Sequence, residues 1–153
     1  MSRLQLALNV DDLETSIAFY RKLFGTEPAK VRQGYANFAV ADPPLKLVLI
    51  ENPGQGGSVN HLGVEVADTE TVDREQARLT EAGLNSLDER DSTCCYARQD
   101  KFWLSETPNG ERWEIYTVLG DSATFAGQSS DGDCQCCGNT TSLELTPSST
   151  GCC

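Results

Sequence analysis

The chain has 153 residues and a formal net charge of −11, from 12 Lys and Arg against 23 Asp and Glu. That length suits one domain with a proper core, and the acidic balance argues against a nucleic-acid or anionic-membrane partner. No apolar run approaches the ~20 residues of a membrane span, and Met1-Ser2-Arg3 leads straight into a strand pattern, so a cytoplasmic protein is expected. Residues 4–10 alternate and predict a strand. Asp11 or Asp12 can cap a helix reaching about residue 24, with Leu13, Ile17, Phe19, Tyr20, Leu23 and Phe24 as its apolar stripe and Gly25 as its stop. Residues 35–40 predict a strand, Asp42-Pro43-Pro44 a turn, and residues 45–50 a strongly apolar strand. Residues 52–58, with three glycines and Pro53, read as a linker.

The order then repeats. A strand at 61–66 is followed by a helix at about 69–82, an irregular stretch, strands at 95–98, 102–106 and 112–118, and a Pro108-Asn109-Gly110 turn before the last. The sequence itself repeats: His61-Leu62-Gly63-Val64-Glu65-Val66-Ala67-Asp68 lies on Gln5-Leu6-Ala7-Leu8-Asn9-Val10-Asp11-Asp12 at an offset of 56. Such a repeat is a first-order clue to architecture. The expected class is α+β, with two tandem βαβββ modules at about 3–51 and 60–119 in a domain spanning 1–120. Beyond Gly120 the composition shifts to Ser, Thr, Gly and Cys, and residues 121–153 are expected to form a mobile tail. The offset also places Gln5 and His61, the only histidine, at equivalent points of two half-structures, where they can converge on one cleft.

Two such modules on a short linker resemble the vicinal-oxygen-chelate superfamily, which includes glyoxalase I, extradiol dioxygenases and the fosfomycin- and bleomycin-resistance proteins. The resemblance covers about residues 3–119. It implies two curved mixed sheets enclosing a metal-binding cup, with ligands on the first and last strands of each module. The first-strand positions are Gln5 and His61. Laying Pro43-Pro44-Leu45-Lys46-Leu47-Val48-Leu49-Ile50 on Asn109-Gly110-Glu111-Arg112-Trp113-Glu114-Ile115-Tyr116 sets Glu114 opposite Val48. The second of these stretches is close to the ending of extradiol dioxygenases, where the glutamate before an apolar–tyrosine pair binds iron. Glu114 is also odd as a bland residue. It stands between Trp113 and Ile115, and a buried carboxylate is costly unless paired or metal-bound. The implied catalytic and metal set is therefore Gln5, His61 and Glu114, with Val48 at the fourth place. Three N and O ligands with open positions suit a non-haem Fe(II) centre that admits substrate and O2. Glutamine departs from the histidine usual in the superfamily, and an amide oxygen is the weaker donor.

Asp91-Ser92-Thr93-Cys94-Cys95-Tyr96 is the second informative stretch. Adjacent cysteines have Cα atoms only about 3.8 Å apart, too close for a relaxed disulfide between them. They can present two soft sulfurs at one point, which suits a large thiophilic atom. Trivalent arsenic with one carbon substituent needs two such sulfurs to exchange both its hydroxyls. With the opening Leu4-Gln5-Leu6-Ala7-Leu8-Asn9-Val10-Asp11-Asp12, with Gly34-Tyr35-Ala36-Asn37-Phe38 and with Asn60-His61-Leu62-Gly63-Val64-Glu65, this stretch makes the chain similar to ArsI-type carbon–arsenic lyases, whose relatives are often labelled cadmium-induced proteins. The resemblance implies Fe(II)- and O2-dependent cleavage of the C–As bond of trivalent organoarsenicals, such as methylarsenite and reduced aromatic arsenicals, to arsenite. It also implies Cys94 and Cys95 as arsenic ligands.

Five further cysteines, Cys134, Cys136, Cys137, Cys152 and Cys153, lie in the tail and could collect arsenic and pass it inward. No second pair stands at zinc-ribbon spacing. The expected partner is a small trivalent organoarsenical, handled by a monomer or homodimer. Two rivals use the same residues differently. A cadmium or arsenic sequestration protein would use the cysteines without turnover. A glyoxalase-like isomerase would want a ligand or carboxylate base where Val48 stands.

Overall fold

The computed structural model describes residues 2–125. Its elements run β1 (Arg3–Val10), α1 (Leu13–Phe24), β2 (Lys30–Arg32), β3 (Tyr35–Val40), β4 (Leu45–Glu51), β5 (Val59–Glu65), α2 (Thr69–Glu81), β6 (Ser86–Cys94), β7 (Ala97–Leu104) and β8 (Trp113–Asp121). This is βαβββ twice, as the repeat predicts. The offset of 56 reaches into the caps. Asp12 accepts from the Thr15 N–H at 2.7 Å, and Asp68, its counterpart, accepts from the Thr71 N–H at 2.8 Å. Each cap satisfies a helix N–H that has no partner within the helix. Gly25, at φ 61°, closes α1 in the left-handed conformation that favours glycine.

The strands form one eight-stranded sheet in the order β2-β3-β4-β1-β5-β8-β7-β6. Within the first module β1 pairs with β4 in parallel, and within the second β5 pairs with β8 in parallel. The modules meet through β1 and β5, antiparallel, with Leu6 opposite Leu62. Those two leucines are themselves equivalents at the 56 offset, so the modules are related by an approximate twofold through this pair. The two module sheets expected to face each other are thus one continuous, curled sheet.

Strand alternation separates its two faces. Leu6, Leu8, Leu47, Leu49, Ala36 and Phe38 pack with Leu13, Ile17, Tyr20 and Phe24 beneath α1. Val64, Phe102, Leu104 and Ile115 pack with Val72 and Leu79 beneath α2. The opposite face carries Gln5, Ala7, Tyr35, Asn37, Lys46, Val48, His61, Gly63, Gln99, Lys101, Trp103, Glu114 and Tyr116. It is concave and unusually polar for a buried surface. The β6–β7 turn reaches across to the first module, where Tyr96 donates its hydroxyl to the Gln33 carbonyl at 3.1 Å and Lys30 donates to the Tyr96 carbonyl at 3.1 Å. The far ends of the sheet are thereby tied together and the concave face becomes a cup.

The structure departs from the expected elements in three places. The three-residue β2 was not foreseen, because so short a strand leaves no alternation to detect. The stretch expected to be irregular after α2 is β6. Its polar sequence and the break at Asp91, φ 47°, between Glu89 and Ser92 conceal an edge strand. The strands expected at 95–98 and 102–106 are one, β7, because Lys101 and Gln99 are buried rather than marking a loop. At the end of the described residues, β8 closes at Asp121 and Phe125 packs on Tyr35 and Tyr96 with ring centroids 6.2 and 5.6 Å away. Cys134, Cys136, Cys137, Cys152 and Cys153 lie outside the described residues. Among the described residues no helix is long and apolar enough to cross a membrane.

Candidate functional site

Gln5, His61 and Glu114 meet on the floor of the cup, from β1, β5 and β8. They are 4%, 1% and 2% exposed, so no bulk water mediates between them. The Gln5 Nε2 lies 2.9 Å from His61 Nε2 and 2.8 Å from Glu114 Oε1, and the last two atoms are 3.5 Å apart. Register explains the convergence. Gly63 is opposite Gln5 on one side and opposite Glu114 on the other, while His61 lies two residues back on the same face of β5. A Cβ on Gly63 would stand 3.1 Å from Glu114 Cγ and 3.3 Å from Gln5 Nε2. The glycine leaves the space in which the two side chains approach. Val48, opposite Ala7, takes the place in the first module that Glu114 takes in the second, and it is buried and apolar.

The donor set fits a divalent metal. Bonds of about 2.1 Å at right angles would place ligand atoms about 3 Å apart, close to the spacing seen here. The His61 Nδ1 is 2.7 Å from Asn60 Oδ1, which can only accept, so Nδ1 carries the proton and the Nε2 lone pair faces the floor. Among the described residues no three His, Cys, Asp or Glu cluster to hold a metal, and the candidate third donor is the Gln5 amide.

Charged residues that the sequence did not single out surround this set. Lys101, fully buried, sits 3.2 Å from Glu114 Oε2 and 3.5 Å from Glu89 Oε2. Burial by itself pushes the Glu114 carboxyl up. The Lys101 charge and the His61 contact outweigh that and bring it to about 2. Tyr116 donates toward Gln5 Oε1 and lies 2.8 Å from Glu65 Oε2, which Lys46 holds at 3.0 Å. Burial and the nearby Glu65 and Glu114 charges raise the Tyr116 phenol well above its usual range, keeping it a neutral donor. One signal could have found Lys46. Lys46 is a lone cation inside an apolar run, the same kind of oddity that marks Glu114, whereas Lys101, preceded by Arg98-Gln99-Asp100, carries no such signal.

Cys94 and Cys95 lie at the other end of the cup. Cys94 ends β6 opposite Ala97, so Cys95 and Tyr96 are the two central residues of a hairpin turn. Both have positive φ, 56° and 59°, in a turn type that usually takes Asn-Gly. Strain of this kind persists where the surroundings enforce it, and such positions cluster at ligand sites. The two sulfurs are 3.1 Å apart. Cys95 is a thiol, whereas Cys94 is in disulfide form, and 3.1 Å is too long for a bond between the two. They share an apolar cluster with Ala7, Tyr35, Val48, Ile50 and Trp103. Trp103 joins the two ends of the cup, since its ring also meets His61 edge-on at 5.5 Å. Lys101 and Arg112 each stand 4.8 Å from that indole.

A curled sheet built from two βαβββ modules is the architecture of the vicinal-oxygen-chelate proteins. Residues 3–115 match the Glyoxalase/Bleomycin resistance protein/Dioxygenase superfamily, and the chain belongs to it. The chain is similar to "Cadmium-induced protein CadI" of Mycobacterium tuberculosis, 62% identical over 142 residues that cover 90% of this chain and 93% of that one. It is also 57% identical over 138 residues to the "Trivalent organoarsenical cleaving enzyme" of Thermomonospora curvata, covering 90% of this chain and 89% of the other. Among solved structures it resembles an extradiol ring-cleaving dioxygenase from B. fuscum, with a TM-score of 0.55 at 21% identity. That match covers 78% of this chain and 33% of the dioxygenase, and shows a shared fold.

Proposed function

We propose that this protein cleaves the carbon–arsenic bond of trivalent organoarsenicals, such as methylarsenite and reduced aromatic arsenicals, releasing arsenite as a detoxification step in the cytoplasm. The observation that carries the reading is that the Cys94 and Cys95 sulfurs and the Gln5–His61–Glu114 set face one cup and share Trp103 as a neighbour. The similarity to the organoarsenical-cleaving enzyme supports the choice of substrate.

In this reading Cys94 and Cys95, both as thiols, exchange for the two hydroxyls of the arsenical. Two sulfur–arsenic bonds form and two waters leave, and the turn then holds the organic group over the floor of the cup. Gln5, His61 and Glu114 would hold Fe(II), which when bound supplies the activation of O2 beside the carbon–arsenic bond. Lys101 keeps Glu114 anionic and so ready to bind a cation. Asn60 holds the His61 ring with Nε2 inward. The indole of Trp103 and the ring of Tyr35 exclude water from the space between thiols and floor. Holding the two reactants together can be worth roughly 7–11 kcal/mol.

The test is anaerobic loading with Fe(II), then methylarsenite with and without O2, reading inorganic arsenite. Arsenite appearing only with both Fe(II) and O2 supports the proposal. Stoichiometric arsenical binding with no arsenite would replace it by the sequestration reading, which the similarity to a cadmium-induced protein would then favour. Val48, apolar at the fourth position, speaks against a glyoxalase-like isomerase.

A further inference from the structure

Gln5 faces the wrong way for a metal ligand. Its amide nitrogen points at His61 Nε2, 2.9 Å, and Glu114 Oε1, 2.8 Å, while its oxygen points at the Tyr116 hydroxyl. An NH2 group has two hydrogens, and here both have an acceptor, because the His61 Nδ1 proton is already given to Asn60. The amino group thus bridges the two atoms that a cation would bridge. Without a cation the reverse orientation is the poorer one, since it would set the Gln5 oxygen against the His61 Nε2 lone pair at 2.9 Å and a Glu114 oxygen at 2.8 Å with no proton in either contact, against the single such contact between Tyr116 and Glu65. With a cation present the amino group cannot face it, and the oxygen must.

We infer that Gln5 is a two-position side chain, whose amino group fills the metal position until an ion enters and turns the amide over, while Tyr116 swings its hydroxyl proton from Gln5 to Glu65. The inference rests on the metal reading above. Turning the amide presents its N–H groups to the Tyr116 oxygen, which must then accept. The single phenolic proton needs another acceptor, and Glu65 Oε2 lies 2.8 Å away. Lys46 at 3.0 Å and Arg3 at 2.9 Å hold that carboxylate in place. A hydroxyl that both donates and accepts, beside a fixed carboxylate, is what the exchange requires. Tyr116 and Glu65 are therefore positioning residues, and the ion binds against two hydrogen bonds that it must displace.

The test uses the full-length protein, with Zn(II) as a diamagnetic probe added beyond what the cysteines take up. NMR follows the Gln5 side-chain amide and the His61 and Tyr116 rings. Metal-free, the Gln5 amide protons should show through-space contacts to the His61 ring. With Zn(II) bound they should lose these and gain contacts to the Tyr116 ring. In a second arm, Glu65→Met leaves the Tyr116 proton no acceptor but Gln5 and should weaken Zn(II) binding at this site at least tenfold. Adding Gln5→Glu should restore it, because a carboxylate can accept from Tyr116 and bind the ion at once. If Glu65→Met does not fold, the contacts in the unaltered protein decide. If His61 responds to Zn(II) while the Gln5 amide protons stay against His61, or a folded double variant shows no rescue, the inference is overturned and the metal site stands. If neither His61 nor Gln5 responds to Zn(II), the metal reading falls and takes the inference with it.

Discussion

Gly63 stands opposite Gln5 across β1–β5 and opposite Glu114 across β5–β8, so a residue with no side chain lies between two candidate ligands from neighbouring strands. A methyl group there would press on Glu114 Cγ at 3.1 Å and Gln5 Nε2 at 3.3 Å, forcing both to give by a few tenths of an ångström. Gly63→Ala should fold, yet bind a divalent metal about 10- to 100-fold more weakly, the range typical for disturbing the support of ligands. Isothermal titration with Fe(II) or Zn(II) checks it. Unchanged affinity would mean that Gln5 and Glu114 do not act together on an ion.

Lys101 should matter for the fold before it matters for chemistry. Lys101→Met leaves the buried Glu114 carboxylate without the ammonium group 3.2 Å away, and breaking a buried pair costs about 3–5 kcal/mol. Denaturant melts of metal-free protein should show the loss at neutral pH. Part of it should return on acidification, because protonating Glu114 removes the buried charge. A variant as stable as the parent would sink this account of Lys101.

The acid side of the stability curve carries the same signature in the unaltered protein. Glu114 sits at about 2 against an ordinary 4.5, a depressed carboxyl. Its contribution is present in full above 4.5 and is lost as pH falls from there through about 2. Metal-free protein should therefore lose stability across that window, and Glu114→Gln should lose much of that slope. An identical acid slope in both proteins would contradict the assignment.

The dithiol turn makes two separable predictions. An arsenical with two exchangeable hydroxyls needs both sulfurs, so Cys94→Ser and Cys95→Ser should each lose nearly all C–As cleavage, with the double variant scarcely worse. Metal affinity should survive in all three, because the proposed metal set consists of N and O atoms. Cys95→Gly should lose capture too. Its stability should nonetheless lie near the parent's, since relief of about 1–2 kcal/mol at a positive-φ position offsets the lost packing of a buried sulfur. Near-parental turnover by either serine variant would remove the pair from the substrate site.

Truncation should be sensitive to five residues. The Phe125 ring packs over Tyr35 and Tyr96, and its carbonyl accepts from the Cys95 N–H at 2.6 Å. Compared with a chain cut after Phe125, one cut after Gly120 should loosen the cysteine turn and bind arsenicals more weakly. Equal arsenical affinity in the two would show that Phe125 does not support the turn.

Much of this was legible in the sequence because two codes overlapped. The alternation of β1, β4 and β5 and the 56-residue repeat together gave the module order and the convergence of Gln5 with His61, and narrowed the cap of α1 to Asp11 or Asp12. Glu114 was legible as a charge in an apolar strand. What stayed hidden depends on neighbours distant in sequence. Lys101 is buried because Glu114 and Glu89 meet it from other strands. The polar β6 is held as a strand by its pairing with β7 rather than by its own pattern. The orientation of the Gln5 amide follows from Tyr116 and Glu65, which no spacing rule connects to residue 5.

The same wide spacing bears on how the protein is made. Gln5 and Glu114 touch across 109 positions of chain, and β8, which brings Glu114 in, is the last strand of the sheet. A ribosome has released both β1 and β5 long before it supplies the third partner. A nascent chain therefore presents a histidine and an amide before the carboxylate that completes the candidate metal set has been made, and on the proposed reading loading has to wait for β8.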